Sequence, residues 1–279
     1  MLRHMTPAFQ FAEVRGAKLA YNSTGKGSPV VWAHGMTSAT YTQERAGNFD
    51  WRPVSAEHRL IRYDARGHGR STGGTDPVEY TWPELGKDLL GLLDAVRPPL
   101  SPGLDTPHST SAQKVGAIGS SMGTASILYA ALDRPERFSR LVLTTPPTCW
   151  ETRPAANGMR LGSAQLVQDK GVAALEALSV DAPASPALVD AKRYINPIRV
   201  SARRLPAVFR GSAQTDFPPR EKLAGLALPV LVMSWTGDGT HPVSSGEALA
   251  AALPNAELVV ANTPAELATW GDRAAAFLR

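Results

Sequence analysis

The chain has 279 residues, 43% of them hydrophobic and 19% charged, a globular balance that excludes an intrinsically disordered chain. Lys and Arg number 29 against 25 Asp and Glu, a net charge of +4, and the arginines are scattered rather than blocked, so neither nucleic acid nor a membrane surface is indicated as a partner. No apolar run approaches the roughly 20 residues that span a bilayer, the first residues lack the apolar core of a secretion signal, and Cys149 is the sole cysteine, which excludes an intrachain disulfide and cysteine-rich zinc sites. The expectation is a cytoplasmic protein with neither metal nor cofactor.

In chain order, Phe9–Val14 and Lys18–Tyr21 read as strands joined by a turn at Arg15-Gly16. Short continuous apolar runs follow at Pro29–Ala33, Leu60–Tyr63, Val115–Ile118, Leu141–Leu143, Pro229–Met233 and Leu258–Val260. Such runs suit strands buried on both faces, as in a parallel sheet. Helical periodicity marks Trp82–Val96, and helices are also expected at Met122–Leu132, Ser245–Leu253 and Ala265–Leu278. The pattern predicts an α/β fold: a mostly parallel central sheet of about eight strands with helices on both faces. Arg97–Gln113, rich in Pro, Ser and Thr, reads as a surface loop carrying an inert His108. From about Pro146 to Leu226 the sequence is helical without a strong strand, too long for a simple crossover, and reads as an inserted helical cap. The expected division is a core from 1–145, a cap from 146–226 and the rest of the core from 227–279.

Gly119-Ser120-Ser121-Met122-Gly123 matches G-x-S-x-G between an apolar strand and a helix. That context makes a sharp turn with Ser121 at its tip, and the following helix aims its first N–H groups at an oxyanion formed there. His34-Gly35 follows the first parallel strand, and Asp64-Ala65-Arg66-Gly67-His68-Gly69-Arg70-Ser71 follows the next. In this order the three motifs resemble those of the α/β-hydrolase fold family. The resemblance covers the chain outside Arg97–Gln113 and the cap. It implies Ser121 as nucleophile and the N–H groups of Met36 and Met122 as oxyanion donors.

The resemblance also implies an acid after the first strand beyond the cap, where Asp238-Gly239-Thr240-His241-Pro242 lies. Asp238 fills that place, with Glu151 as a rival. The family's histidine should follow the last strand, yet Ala261–Glu266 contains none and no histidine occurs after His241. Serine is a poor nucleophile without a base, and loss of the base costs on the order of 10⁶ in turnover. His241 is the leading substitute, because Pro242 biases it towards an extended backbone that can aim its ring at the cleft beside Asp238. Glu266 is a second candidate. His34 and His68 read as turn residues, His4 and His58 as peripheral. His34, Gly35, Trp150 and Trp235 are expected around the substrate pocket; with Tyr194, Phe209 and Phe217 they suit a small molecule with an apolar part. Arg199–Arg204 reads as a solvated face.

The expected activity is cleavage of a small ester, thioester or lactone through an acyl-enzyme on Ser121, with a degenerate triad. The alternatives are a non-hydrolytic binding protein or cofactor-free enzyme on the same fold, and a carbon–carbon bond hydrolase.

Overall fold

The computed structural model describes residues 7–96, 114–178, 185–189 and 197–279. His4, Tyr194 and the expected loop Arg97–Gln113 with its His108 lie outside them. The chain opens with β1 (Gln10–Val14), β2 (Ala17–Thr24) and β3 (Pro29–Ala33). Two short helices, α1 (Thr42–Arg45) and α2 (Arg52–Glu57), precede β4 (Arg59–Tyr63). Then come α3 (Trp82–Ala95), β5 (Val115–Ser120), α4 (Met122–Asp133) and β6 (Phe138–Thr144). An insertion holds α5 (Arg153–Lys170), α6 (Val172–Ala177), α7 (Leu205–Ala213) and α8 (Arg220–Leu223). The chain closes with β7 (Val230–Trp235), α9 (Val243–Ala252), β8 (Ala256–Ala261), α10 (Pro264–Ala268) and α11 (Trp270–Leu278).

The eight strands form one sheet in the order β1-β2-β4-β3-β5-β6-β7-β8. β1 and β2 are antiparallel, β2 meets β4 antiparallel, and the other pairs are parallel. Val14 pairs with Ala17, so the hairpin loop is Arg15-Gly16, both at positive φ (46° and 78°), the geometry that matches strand twist. In β3, β5 and β7 every residue is buried, which is why these strands read as continuous apolar runs. The two-residue period divides them between two layers. Val31, Ala33, Ala117, Val230 and Val232 pack towards α3, α4 and α9. Val30, Trp32, Ile118, Leu231 and Met233 pack with Trp51, Val54, Trp270 and Leu278. β3 bonds β4 on one side and β5 on the other, so the chain changes direction there; ligands of open α/β sheets bind beyond the C-terminal ends of the strands at such a switch point.

Among the described residues, the stretch between β6 and β7 contains helices and no sheet strand. Its apolar face joins Ala164, Val167, Leu205, Val208 and Phe209 to Tyr80, with Met36 packed against the cluster. Phe209 and Phe217 are core residues here. Two further expectations change, and two helices were not foreseen. α1 and α2 are too short to show a period in sequence. The terminal helix is two helices that meet at Thr269. His58, expected at the periphery, is buried at the end of α2, beside Val54 and Leu60 that carry the chain into β4.

Candidate active site

Ser121 sits at φ 51° and ψ −111°, a conformation rare for any residue with a Cβ. Such strain costs on the order of 1–3 kcal/mol and persists only where the surroundings enforce it. Here they do. The Ser121 N–H donates to the Thr144 carbonyl at 3.1 Å. The Thr124 hydroxyl donates to the Gly119 and Thr144 carbonyls, each at 3.1 Å. A Cβ on Gly123 would lie 2.0 Å from the Ala33 carbonyl oxygen, and one on Gly119 would lie 2.7 Å from Gly123 and Thr124 backbone atoms. Both motif glycines are therefore required by close approach of backbone. α4 begins at Met122, so its N-terminus faces the serine.

The loop after β3 places Gly35 against the nucleophile: a Cβ there would be 3.5 Å from the Ser121 Cβ. His34 holds the loop from below. Its Nδ1–H donates to the Gly35 carbonyl at 2.8 Å and its Nε2 accepts from the Ala65 N–H at 3.0 Å, so the ring is neutral. Burial lowers its pKa against the raising influence of Asp64. Asp64 accepts from the Thr40 N–H and hydroxyl and from the Arg70 N–H, each at 2.8 Å, and so ties this loop to the next. His68 is also sealed in, its Nδ1–H donating to the Arg66 carbonyl at 2.7 Å. Burial, then the neighbouring His34, push its pKa down to about 3.

β7 ends at Trp235, and Gly237 turns the chain at φ 76°. Asp238 Oδ1 accepts from the N–H groups of Thr240 at 2.9 Å and His241 at 3.1 Å. Asp238 Oδ2 accepts from Trp235 Nε1 at 3.2 Å and lies 2.8 Å from His241 Nδ1. His241 Nε2 lies 2.8 Å from Ser121 Oγ. Nδ1–H thus donates to the carboxylate, and Nε2 is left to accept the serine proton. Pro242 caps α9 immediately after and fixes the exit of the loop. Burial pushes the Asp238 carboxyl up, but the His241 hydrogen bond and charge and the two N–H groups outweigh it, leaving the carboxyl well below the ordinary range. His241 and Asp238 keep about a fifth of their side chains exposed (19% and 20%), so the serine–imidazole edge is reachable from solvent. The order serine, imidazole, carboxylate is that of an activated nucleophile.

The profile of the alpha/beta hydrolase family matches residues 30–268. This chain belongs to the alpha/beta hydrolase family. A curated epoxide hydrolase from Caballeronia sordidicola is 32% identical over 123 residues, 44% of this chain and 32% of that protein. The 3-oxoadipate enol-lactonase 1 of Acinetobacter baylyi is 25% identical over 219 residues, 71% of this chain and 69% of that protein. The chain thus spans less than half the length of some curated relatives it matches. A crystal structure of a hydrolase from Pseudomonas aeruginosa superposes with a TM-score of 0.72 at 26% identity, covering 91% of this chain and 90% of that one. The enol-lactonase from Burkholderia xenovorans also superposes at 0.72, at 22% identity and 96% coverage of both chains, a likeness of fold.

Within this alpha/beta hydrolase, several sequence expectations change place. His34, expected to line the pocket, is 1% exposed and spends both nitrogens on backbone groups. Trp235 is 4% exposed and stacks on Trp270, so it serves as a donor beneath Asp238 rather than as a pocket wall. Trp150, also expected at the pocket, is held in the insertion: its Nε1 donates to the Pro218 carbonyl, its ring meets Phe217 edge-on, and Arg220 lies over it. Glu151 points to solvent and pairs with Arg220 through two 2.7 Å bonds, which removes it as the acid; the Arg220 bond brings its pKa down to about 2. Glu266 accepts from the Asn262 and Thr263 N–H groups as the cap of α10, which removes it as the base. Arg199–Arg204 runs as a loop that is exposed except at Val200 and half-buried Arg204: the Arg199 N–H donates to the Thr37 carbonyl, its carbonyl accepts from the Gly69 N–H, and Val200 bridges His68.

Sequence reasoning missed Gln43, Ser120 and Thr145. Gln43 Oε1 accepts from the Gly35 N–H at 2.9 Å, Gln43 Nε2 donates to Ser120 Oγ at 3.0 Å, and Ser120 Oγ lies 3.1 Å from Thr145 Oγ1. Gln43 stands in the four-residue helix α1, too short to leave a period in the sequence and with no motif to mark it. Among the described residues, no group of three His, Cys, Asp or Glu side chains is placed to hold a metal, and no helix is long and apolar enough to cross a membrane.

Proposed function

We propose that this protein is a serine hydrolase that cleaves a small ester, thioester or lactone through an acyl-enzyme on Ser121. One observation carries the reading: the His241 ring lies 2.8 Å from the Asp238 carboxylate on one side and 2.8 Å from the Ser121 hydroxyl on the other. Both contacts lie within the reach that proton transfer needs. His241 Nε2 takes the Ser121 proton as Oγ attacks the carbonyl carbon. The N–H groups of Met36 and Met122 hold the oxyanion. Collapse expels the alcohol or thiol, which takes the proton from His241. Water, deprotonated by the same nitrogen, then releases the acid and restores the serine. Asp238 holds the imidazole in the required tautomer and stabilises its cation. The triad is non-standard in sequence only: acid and base share the loop after β7.

The segment 146–226 acts as a cap over the cleft in this reading. Met36 packs against its apolar cluster, which suits a substrate with an apolar part. A cytoplasmic small-molecule hydrolase without a cofactor is the whole-protein reading. The test is mass spectrometry after treatment with a fluorophosphonate probe at neutral pH. The expected result is one adduct on Ser121, absent from Ser121→Ala. An unmodified wild-type protein would overturn the reading.

A further inference from the structure

We propose that Gln43 is the positioning residue that sets the spacing of the two halves of the oxyanion hole; this rests on the serine-hydrolase reading. The hole is split between two chain segments. One donor, the Met36 N–H, follows Gly35 in the loop after β3. The other, the Met122 N–H, follows Ser121 at the elbow. The ladder between β3 and β5 sets the two segments side by side as far as Ala33 and Gly119; beyond that pair, contacts between the two loops set the separation.

The Gln43 amide makes that connection. Its carbonyl end takes the Gly35 N–H at 2.9 Å, one residue before Met36. Its NH₂ end donates to Ser120 Oγ at 3.0 Å, one residue before Ser121. The chain continues from Ser120 to Thr145 at 3.1 Å, at the end of β6, where Thr145 is itself held at φ 45°. The amide and the nucleophile lie side by side against this loop: a Cβ on Gly35 would meet Gln43 Nε2 at 3.4 Å and both Gln43 Oε1 and the Ser121 Cβ at 3.5 Å, ordinary contact distances.

Gln43 is itself anchored. Tyr41, at φ 62°, turns the chain into α1, and its hydroxyl donates to Asn22 Oδ1 at 3.0 Å. The Arg62 guanidinium covers the Tyr41 ring at 4.8 Å, and the Gln43 carbonyl accepts from the Asn48 N–H at 3.0 Å. The chemistry of the position is restrictive. Only an amide offers an acceptor and a donor side by side, and asparagine is one carbon short. Ionised glutamate keeps the shape and can take the Gly35 N–H, but in that form it cannot donate and it sets a negative charge beside a forming oxyanion. Leucine keeps the bulk and makes neither bond.

The test is the concentration dependence of fluorophosphonate inactivation in wild type, Gln43→Leu and Gln43→Glu. A displaced oxyanion donor slows the chemical step and leaves probe binding alone. Both variants should therefore lose maximal inactivation rate by about 10- to 100-fold, with half-saturation within about 3-fold of wild type. Gln43→Glu should fall at least as far as Gln43→Leu. A merely structural role would rank them the other way, because the isosteric carboxylate preserves more of the packing. If Gln43→Leu does not fold, Gln43→Glu carries the comparison alone. Variants that react at the wild-type maximal rate, or that change only half-saturation, would overturn the inference and leave the serine-hydrolase reading standing. An unreactive wild-type protein would overturn both.

Discussion

His241, His34 and His68 are the same side chain in different surroundings. His241 has a carboxylate on one nitrogen, a hydroxyl on the other and an open edge, so it can exchange a proton with a bound molecule. His34 and His68 are sealed at 1% and 0% exposure, and burial keeps them neutral. His68 gives the acid response of the fold. Its pKa falls from an ordinary ~6.5 in the unfolded chain to about 3 when folded, so below pH 6.5 the unfolded chain takes up a proton that the folded protein refuses. Stability is whole above that pH and declines as pH drops towards 3. Between pH 7 and 5 the loss from this residue should be about 2 kcal/mol. Urea unfolding at both pH values should show wild type losing more than His68→Asn, whose amide can still donate to the Arg66 carbonyl. Equal losses would contradict the assignment. The placement of Ser121 and Asp238 was legible in the sequence because glycine spacing and a strand end carry backbone geometry. The work of Gln43 and Trp235 was not, because it depends on contacts that no local pattern encodes.

The elements divide along the same line. The parallel strands announced themselves because burial on both faces leaves only apolar residues to use. α1 and α2 hold four and six residues and offered no period to read. The helices of the insertion were legible, but their attachment was not. Arg153, at the start of α5, is 1% exposed. It donates to the Thr215, Ser212 and Thr148 carbonyls and lies 4.0 Å over the Trp82 ring. Burial, and then the nearby Arg160, lower its pKa to about 9, yet at neutral pH it remains charged. One side chain thus joins α5, the end of α7, the loop after β6 and the start of α3. Removing it relieves a buried charge but leaves carbonyls without donors, and a single buried unpaired group costs roughly 1–3 kcal/mol. The second effect should win. Arg153→Met should unfold about 1–3 kcal/mol more easily in urea and lose amide protection first at the C-terminal end of α7. Unchanged or increased stability would contradict this account of the attachment.

At the scale of the whole molecule, the sheet brings four distant stretches to one edge: the loop after β3, the turn after β5, the end of β6 and the loop after β7. The family resemblance gave the first, second and fourth, since each carries a motif tied to a strand end. It did not give the source of the base, which it places after β8. There the chain goes into α10 almost at once through the cap that Glu266 makes with Thr263. The loop after β7 instead presents both the carboxylate and the imidazole, three residues apart, and its neighbour Thr148 bonds the Thr240 carbonyl from the insertion side. The fold therefore closes the triad without a histidine from its last loop. The direct measurement is the rate of Ser121 phosphonylation in His241→Ala against wild type at neutral pH, with both shown to be folded. The account expects the variant to be slower by on the order of 10³ or more. A His241→Ala protein that reacts at the wild-type rate would contradict it.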